Sequence, residues 1–114
     1  MDRRVIQISA FARKVAELIK VRKLLQSDFD DFKRKLAEHP ELGDVIQGTG
    51  GVRKIRLKSA SGGKRGGFRV CYYFHDIELG EIFLIAIYAK NEKEDLTPNE
   101  KKDLKKLADV IKRK

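Results

Sequence analysis

The sequence predicts an α+β domain whose elements run strand, helix, helix, strand, strand, strand, helix, with the strands in one antiparallel sheet. Three observations predict it. Apolar residues recur at helical spacing before Pro40, whereas from Val52 onward they alternate with a period of two. The apolar run Ile82–Ala89 has the length of a strand buried on both faces. After it, Thr97-Pro98-Asn99-Glu100 carries the signature of a helix start.

Arg4–Ile8 can form a short first strand. From Ser9, a plausible N-cap, Phe11, Val15, Leu18 and Ile19 fall on one helical face. A second stripe, Leu25, Phe29, Phe32 and Leu36, follows the same period. Ser27 can cap that helix, and Asp28, Asp30 and Asp31 suit its positive end, although such a cap leaves Leu25 outside. The join near Val21–Gln26 is unmarked, so an antiparallel pair and one longer bent helix both fit. His39-Pro40 ends the pattern, because a residue before proline is biased away from the helical region. Strands are expected over Val52–Lys58, Phe68–His75 and Ile82–Ala89. Sequential hairpins give the last of these one neighbour, and the N-terminal strand is the natural second. In the closing helix Thr97 is the N-cap, Pro98 the first helical residue and Glu100 the capping-box partner, with Leu104, Leu107, Ala108 and Ile111 as the apolar side.

At 114 residues, a single domain spanning 1–114 is expected, with one core that needs no staples. One cysteine, Cys71, excludes an internal disulfide and a multi-cysteine zinc site, and reads as a small strand filler. No apolar run approaches the ~20 residues that cross a bilayer, and no secretory signal is visible at the start, so a cytoplasmic location is expected. Two histidines, His39 and His75, are too sparse for a dependable metal site. No Walker sequence, Ser-His-Asp order or dinucleotide fingerprint occurs, and no cofactor is expected.

The net charge of +9 is unevenly placed. Between Gln47 and Val70 stand seven basic residues, Arg53, Lys54, Arg56, Lys58, Lys64, Arg65 and Arg69, and no acidic one. The rest of the chain has 19 basic and 17 acidic residues. Cations segregated onto strand-like segments point to a polyanion as partner. By strand parity Lys54, Arg56 and Lys58 share a face, and Arg69 on the next strand can join them. With Lys64 and Arg65 in the connecting loop they would line a cationic cleft, where guanidinium groups hold phosphate oxygens in two places. An ordinary solvated strand face on a basic protein fits the same spacing. Tyr88 and Lys90 share a side where the third long strand leaves the core. There the tyrosine can stack on a base or offer its hydroxyl, or can be a plain edge residue beside a snorkelling lysine. Phosphoryl chemistry resting on Arg, Lys and Tyr suits RNA, whose 2′-hydroxyl is a built-in nucleophile, and leaves DNA whole.

The strings Leu42–Arg56, with its Gly-Asp-Val-Ile-Gln-Gly-Thr-Gly-Gly core, Gly63–Val70, Tyr72-Tyr73-Phe74 and Ile87–Glu92 resemble the HigB-type branch of the RelE/ParE toxin superfamily. The likeness runs from about Leu42 to Leu104. It implies a βααβββα fold and the toxin of a type II toxin–antitoxin pair, a metal-independent endoribonuclease that cuts mRNA on the ribosome. The implied partners are the ribosome with its mRNA and a cognate, HigA-like antitoxin with a DNA-binding domain. Lys54, Arg56 and Arg69 fall where relatives serve the scissile phosphate, and Arg65 fits the basic hairpin loop. Tyr88, Lys90 and Asn91 stand where relatives place further cations, and Leu96 and Thr97 where a later tyrosine would fall. The general acid and base therefore stay unassigned. Catalytic roles are expected for Lys54, Arg56, Arg69 and Tyr88, and RNA contacts for Lys58, Lys64, Arg65, Lys90 and Asn91.

Two other readings share this fold or surface. A ParE-like toxin acting on DNA gyrase would need no phosphate-cleaving cluster. A non-catalytic RNA-binding module would want exposed aromatics, for which Phe68, Tyr72 and Phe74 are candidates, although their face is expected to be core.

Overall fold

Nine residues in the interior of the sheet, Glu81–Ala89 (β5), organise the molecule. Their alternation of apolar side chains on both faces forces neighbours on both edges and layers above and below. The computed structural model describes residues 3–62 and 67–114. In chain order the other elements are β1 (Arg4–Gln7), α1 (Ser9–Lys20), α2 (Gln26–Glu38), β2 (Asp44–Val45), β3 (Arg53–Leu57), β4 (Phe68–His75) and α3 (Pro98–Lys112). The sheet order is β1-β5-β4-β3-β2. β4 pairs antiparallel with both β3 and β5, and β2 with β3, but β1 runs parallel to β5. The sheet is therefore mixed rather than antiparallel. The two helices that follow β1 carry the chain back across the sheet, and a crossover of that kind permits a parallel partner.

Each face of the sheet has its own core. On one side Phe11, Val15, Phe29 and Leu36 of the first two helices, with Leu24 from the join between them, meet Val70, Tyr72, Ile82, Leu84 and Ile87. On the other side Leu104, Ala108 and Ile111 of α3 cover Val52, Cys71, Phe83, Ile85 and Tyr88. A bulge in β5 makes this division possible. Cys71 pairs with Ala86 and Tyr72 with Leu84, so Ile85 has no partner and the strand's parity resets. Ile85 and Tyr88, three residues apart, consequently reach the same face.

The helix starts differ from expectation at two points. Ile8, not Ser9, is the N-cap of α1, and Leu25 is that of α2, with Ser27 already inside it; neither helix has a side-chain cap. Burial of Phe11, Phe29 and Leu24 holds these helices in place instead. The join is a true break: Arg22 adopts φ 63°, and the amides of Lys23 and Leu24 both return to the Leu18 carbonyl. At α3 the capping box forms as expected, with reciprocal bonds of 3.1 and 2.8 Å between Thr97 and Glu100. Among the described residues no helix is long and apolar enough to cross a membrane.

Candidate active site

The β2–β3 connection sets the edge of the site. Thr49 is fully buried; its hydroxyl donates to the Ile46 carbonyl at 2.6 Å and accepts from the Val52 amide at 3.1 Å. Gly48, Gly50 and Gly51 surround it at φ of 82°, 73° and 110°, which only glycine adopts cheaply. The Gly-Thr-Gly-Gly string is thus a knot that aims β3, not a phosphate cradle. Gly43 is needed for close approach: a Cβ there would stand 2.9 Å from both the Lys54 carbonyl and the Tyr72 ring.

Register then assembles the basic residues. Arg56 lies directly opposite Arg69, and Arg69 opposite Tyr88, so the three form one row across β3, β4 and β5. Lys54 sits two residues before Arg56 on the same face, opposite Cys71. Lys54, Arg56 and Arg69 line a shallow concavity of ≈ 230 Å³, closed on one side by Leu42, Gly43 and Asp44. Among the described residues neither Arg56 nor Arg69 makes an ion pair, whereas Lys54 Nζ stands 3.9 Å from the exposed Asp95 carboxylate. The Arg69 guanidinium donates to the Phe68 carbonyl at 3.3 Å, and Asp44 is the acidic residue of the lining. Two arginines paired across neighbouring strands with no ion-pair partner among the described residues can receive a phosphate.

Tyr88 differs from expectation. It is 5% exposed and packed in the α3-side core, so its ring offers no face for stacking. The Lys93 ammonium lies 5.4 Å from the ring centroid and is bound to Glu100. The Tyr88 hydroxyl is buried and has no hydrogen-bond partner among the described residues. Burial, with Cys71 and Asp95 nearby, pushes its pKa up to about 12 against the opposing pull of Arg69, so the phenol is neutral at ordinary pH. Burial likewise raises the Cys71 thiol to about 11 although Lys54 opposes it, which makes this cysteine an inert filler. The bond from Lys93 and the Thr97 amide lower the Glu100 carboxyl.

The remaining expected residues are dispersed. Lys58 lies beyond the end of β3 and turns to Asp28 of α2 at 3.5 Å, so strand parity does not hold it beside Lys54 and Arg56. Asn91 lines a separate concavity with Arg22, Lys23 and Ser59. Lys90 follows β5 and closes it through its amide to the Gly67 carbonyl. Lys64 and Arg65 lie outside the described residues. Phe68 and Tyr72 are buried and Phe74 packs against the same core, which removes them as a stacking surface. The sequence pattern did not single out Lys93 and Asp95, because they approach the sheet from an irregular segment with no period to read, and it read Glu100 only as a capping-box residue of α3.

Comparison with known proteins gives the family. The model of the RelE toxin of the RelE/RelB toxin–antitoxin system matches residues 4–114. The chain belongs to the RelE toxin family. Among solved structures, this RelE-family chain is similar to a free-state E. coli toxin RelE in which two arginines are replaced by alanine. The TM-score is 0.59 at 16% identity, over 82% of this chain and 90% of that one. At that identity the likeness concerns the fold.

Proposed function

We propose that this RelE-family protein is the toxin of a type II system of the HigB-type branch and cuts mRNA on the translating ribosome, with the RNA 2′-hydroxyl as nucleophile. The observation that carries this reading is the row Arg56–Arg69–Tyr88 with Lys54 beside it. A phosphodiester seated on the two guanidinium groups has its non-bridging oxygens neutralised as the pentacovalent state develops. The 2′-oxygen attacks phosphorus and loses its proton; the bond to the 5′-oxygen breaks, and that oxygen gains a proton. The products are a 2′,3′-cyclic phosphate and a 5′-hydroxyl. Lys54 lies where it can neutralise charge on either side of the attack. The neutral Tyr88 hydroxyl, unpartnered and cross-strand from Arg69, is suited to donate to the leaving oxygen once the Lys93–Leu96 segment gives way. Phosphate would also take the place of Asp95 at Lys54.

A cognate antitoxin, HigA-like and carrying a DNA-binding domain, would hold the free toxin inactive, and the wider basic surface would meet ribosomal RNA with steeply salt-dependent affinity. The test is to incubate the protein with mRNA, with and without programmed ribosomes, and map the ends. Ribosome-dependent cleavage leaving cyclic phosphate, lost in Arg69→Ala, supports the reading. Intact mRNA together with gyrase-dependent DNA breaks would replace it with the ParE-like one.

A further inference from the structure

Arg56 faces two concavities. The second, of ≈ 400 Å³, runs along the outer edge of β3 toward α2. Its apolar wall is Leu42, Ile55 of β3 and the outer edge of Phe32, with the fully buried Leu36 of α2 behind them. Lys35, Lys58 and Arg56 stand around it. The volume is in the range of small-ligand sites, roughly 300–1,000 Å³. Two features separate this groove from an ordinary surface dent. β2 pairs only with Arg53 and Lys54, so among the described residues the outer edge of β3 beyond Lys54 has no strand partner. Leu42, 46% exposed, is also a wall residue of the phosphate concavity, which makes it the divider between the two spaces.

An apolar wall, an open backbone edge and a cationic rim match a nucleobase: a flat ring for the wall, polar edges for the backbone, and a phosphate for the cations. Continuity with the row of guanidinium groups decides which nucleobase. Resting on the nuclease reading above, we propose that this groove holds the base of the nucleotide next to the scissile phosphate, with Leu42 as a positioning residue that separates base from phosphate. Single-stranded RNA with an unstacked base is then the substrate class, since a base held in a duplex does not enter a groove of this kind. Lys35 and Lys58 meet the phosphate on the far side of that nucleotide, in competition with Asp28 for Lys58.

The experiment is a methyl and amide NMR titration of the full chain with the four nucleoside monophosphates and with ribose 5-phosphate, which has the charge without the base. The expected result is that the nucleotides shift the Leu36, Leu42 and Ile55 methyls. Ribose 5-phosphate would move only amides around Arg56 and Arg69. In Leu42→Ser, an exposed position whose change spares the core, nucleotide affinity falls about fivefold and the Leu36 and Ile55 methyl shifts shrink with it. Equal methyl shifts from ribose 5-phosphate, nucleotide shifts that leave Leu42 and Ile55 still, or a Leu42→Ser variant that binds nucleotides as well as the parent would each overturn the subsite. None of these outcomes touches ribosome-dependent cleavage, so failure of the nuclease reading is seen separately, as intact mRNA on programmed ribosomes.

Discussion

Two tyrosines on opposite faces of one sheet have opposite fates. Tyr72, facing α1 and α2, is fully buried, and its hydroxyl donates to the Pro40 carbonyl and accepts from the Gly43 amide, both at 2.8 Å. Tyr88, facing α3, is almost as deeply buried and its hydroxyl has no partner among the described residues. A satisfied buried hydroxyl ties the loop before β2 to the core; an unsatisfied one is a cost that folding alone does not explain. The difference extends to the faces themselves. The α1/α2 side is apolar through Leu57, Val70 and Leu84, whereas on the α3 side apolar cover gives way to Lys54, Arg56 and Arg69. One face stabilises, and the other gives up stability for an exposed cluster of like charge.

The sharpest way to break this contrast is to alter one residue from each face of β4 or β5. Arg69→Ala is expected to lower ribosome-dependent cleavage by about 10²–10³-fold, the usual loss for one charge-stabilising donor, with the thermal midpoint nearly unchanged. A melt displaced by many degrees would instead make Arg69 structural. Tyr72→Phe is expected to reverse the pattern. It strands two buried backbone groups and costs about 1–3 kcal/mol in urea denaturation, with activity retained in whatever fraction stays folded. Tyr88→Phe removes a hydroxyl that bonds nothing, so stability should hold within about 0.5 kcal/mol or rise while cleavage falls. Equal destabilisation by the two tyrosine variants would erase the distinction between the faces.

Alkaline titration sharpens it further. The Tyr88 phenol is raised to about 12 in the folded protein. The unfolded chain releases that proton near the ordinary ~10. Above that pH the unfolded state binds fewer protons than the folded one, so stability is full below pH ~10 and is lost as pH rises through about 12. Cys71, raised from 9.0 to about 11, adds a loss of the same sign that begins earlier. Urea midpoints taken between pH 9 and 12 should therefore fall, and fall less steeply in Tyr88→Phe. A slope unchanged by that substitution would show that the phenol does not titrate late.

How much of this was legible in the sequence follows from which residues obey a period. Phe68–His75 and the Thr97–Glu100 cap were readable to the residue, because each is written in local chemistry. The interior place of β5 followed from its two-sided apolarity, and β1 was rightly its second neighbour. The parallel sense of that neighbour was not readable, since strand direction depends on how α1 and α2 return the chain. Parity placed Lys54 and Arg56 together, and pairing with β4 brought Arg69 opposite. Parity failed for Lys58, where the strand stops at Leu57, and for the depth of Tyr88, whose facing depends on the unpaired Ile85. A bulge leaves no mark in a run such as Ile82–Ala89, where every residue is apolar.

The smallest expected effect runs opposite to the first. Asp95 lies 3.9 Å from Lys54 and is 72% exposed, so the pair contributes at most about 1 kcal/mol and Asp95→Asn should leave the melt unmoved. It removes a negative charge from the mouth of the phosphate concavity, however, and frees Lys54 for the incoming RNA. Affinity for a non-cleavable RNA, deoxy at the scissile 2′ position, should rise a few-fold at about 0.05 M salt. The gain should shrink toward zero near 1 M, where screening cuts the interaction length to about 3 Å. Weaker binding, or a gain that salt leaves intact, would mean that Asp95 holds the site in shape rather than competing for it. The cationic cluster would then depend on its neighbouring carboxylate in a way the opposite, apolar face never does.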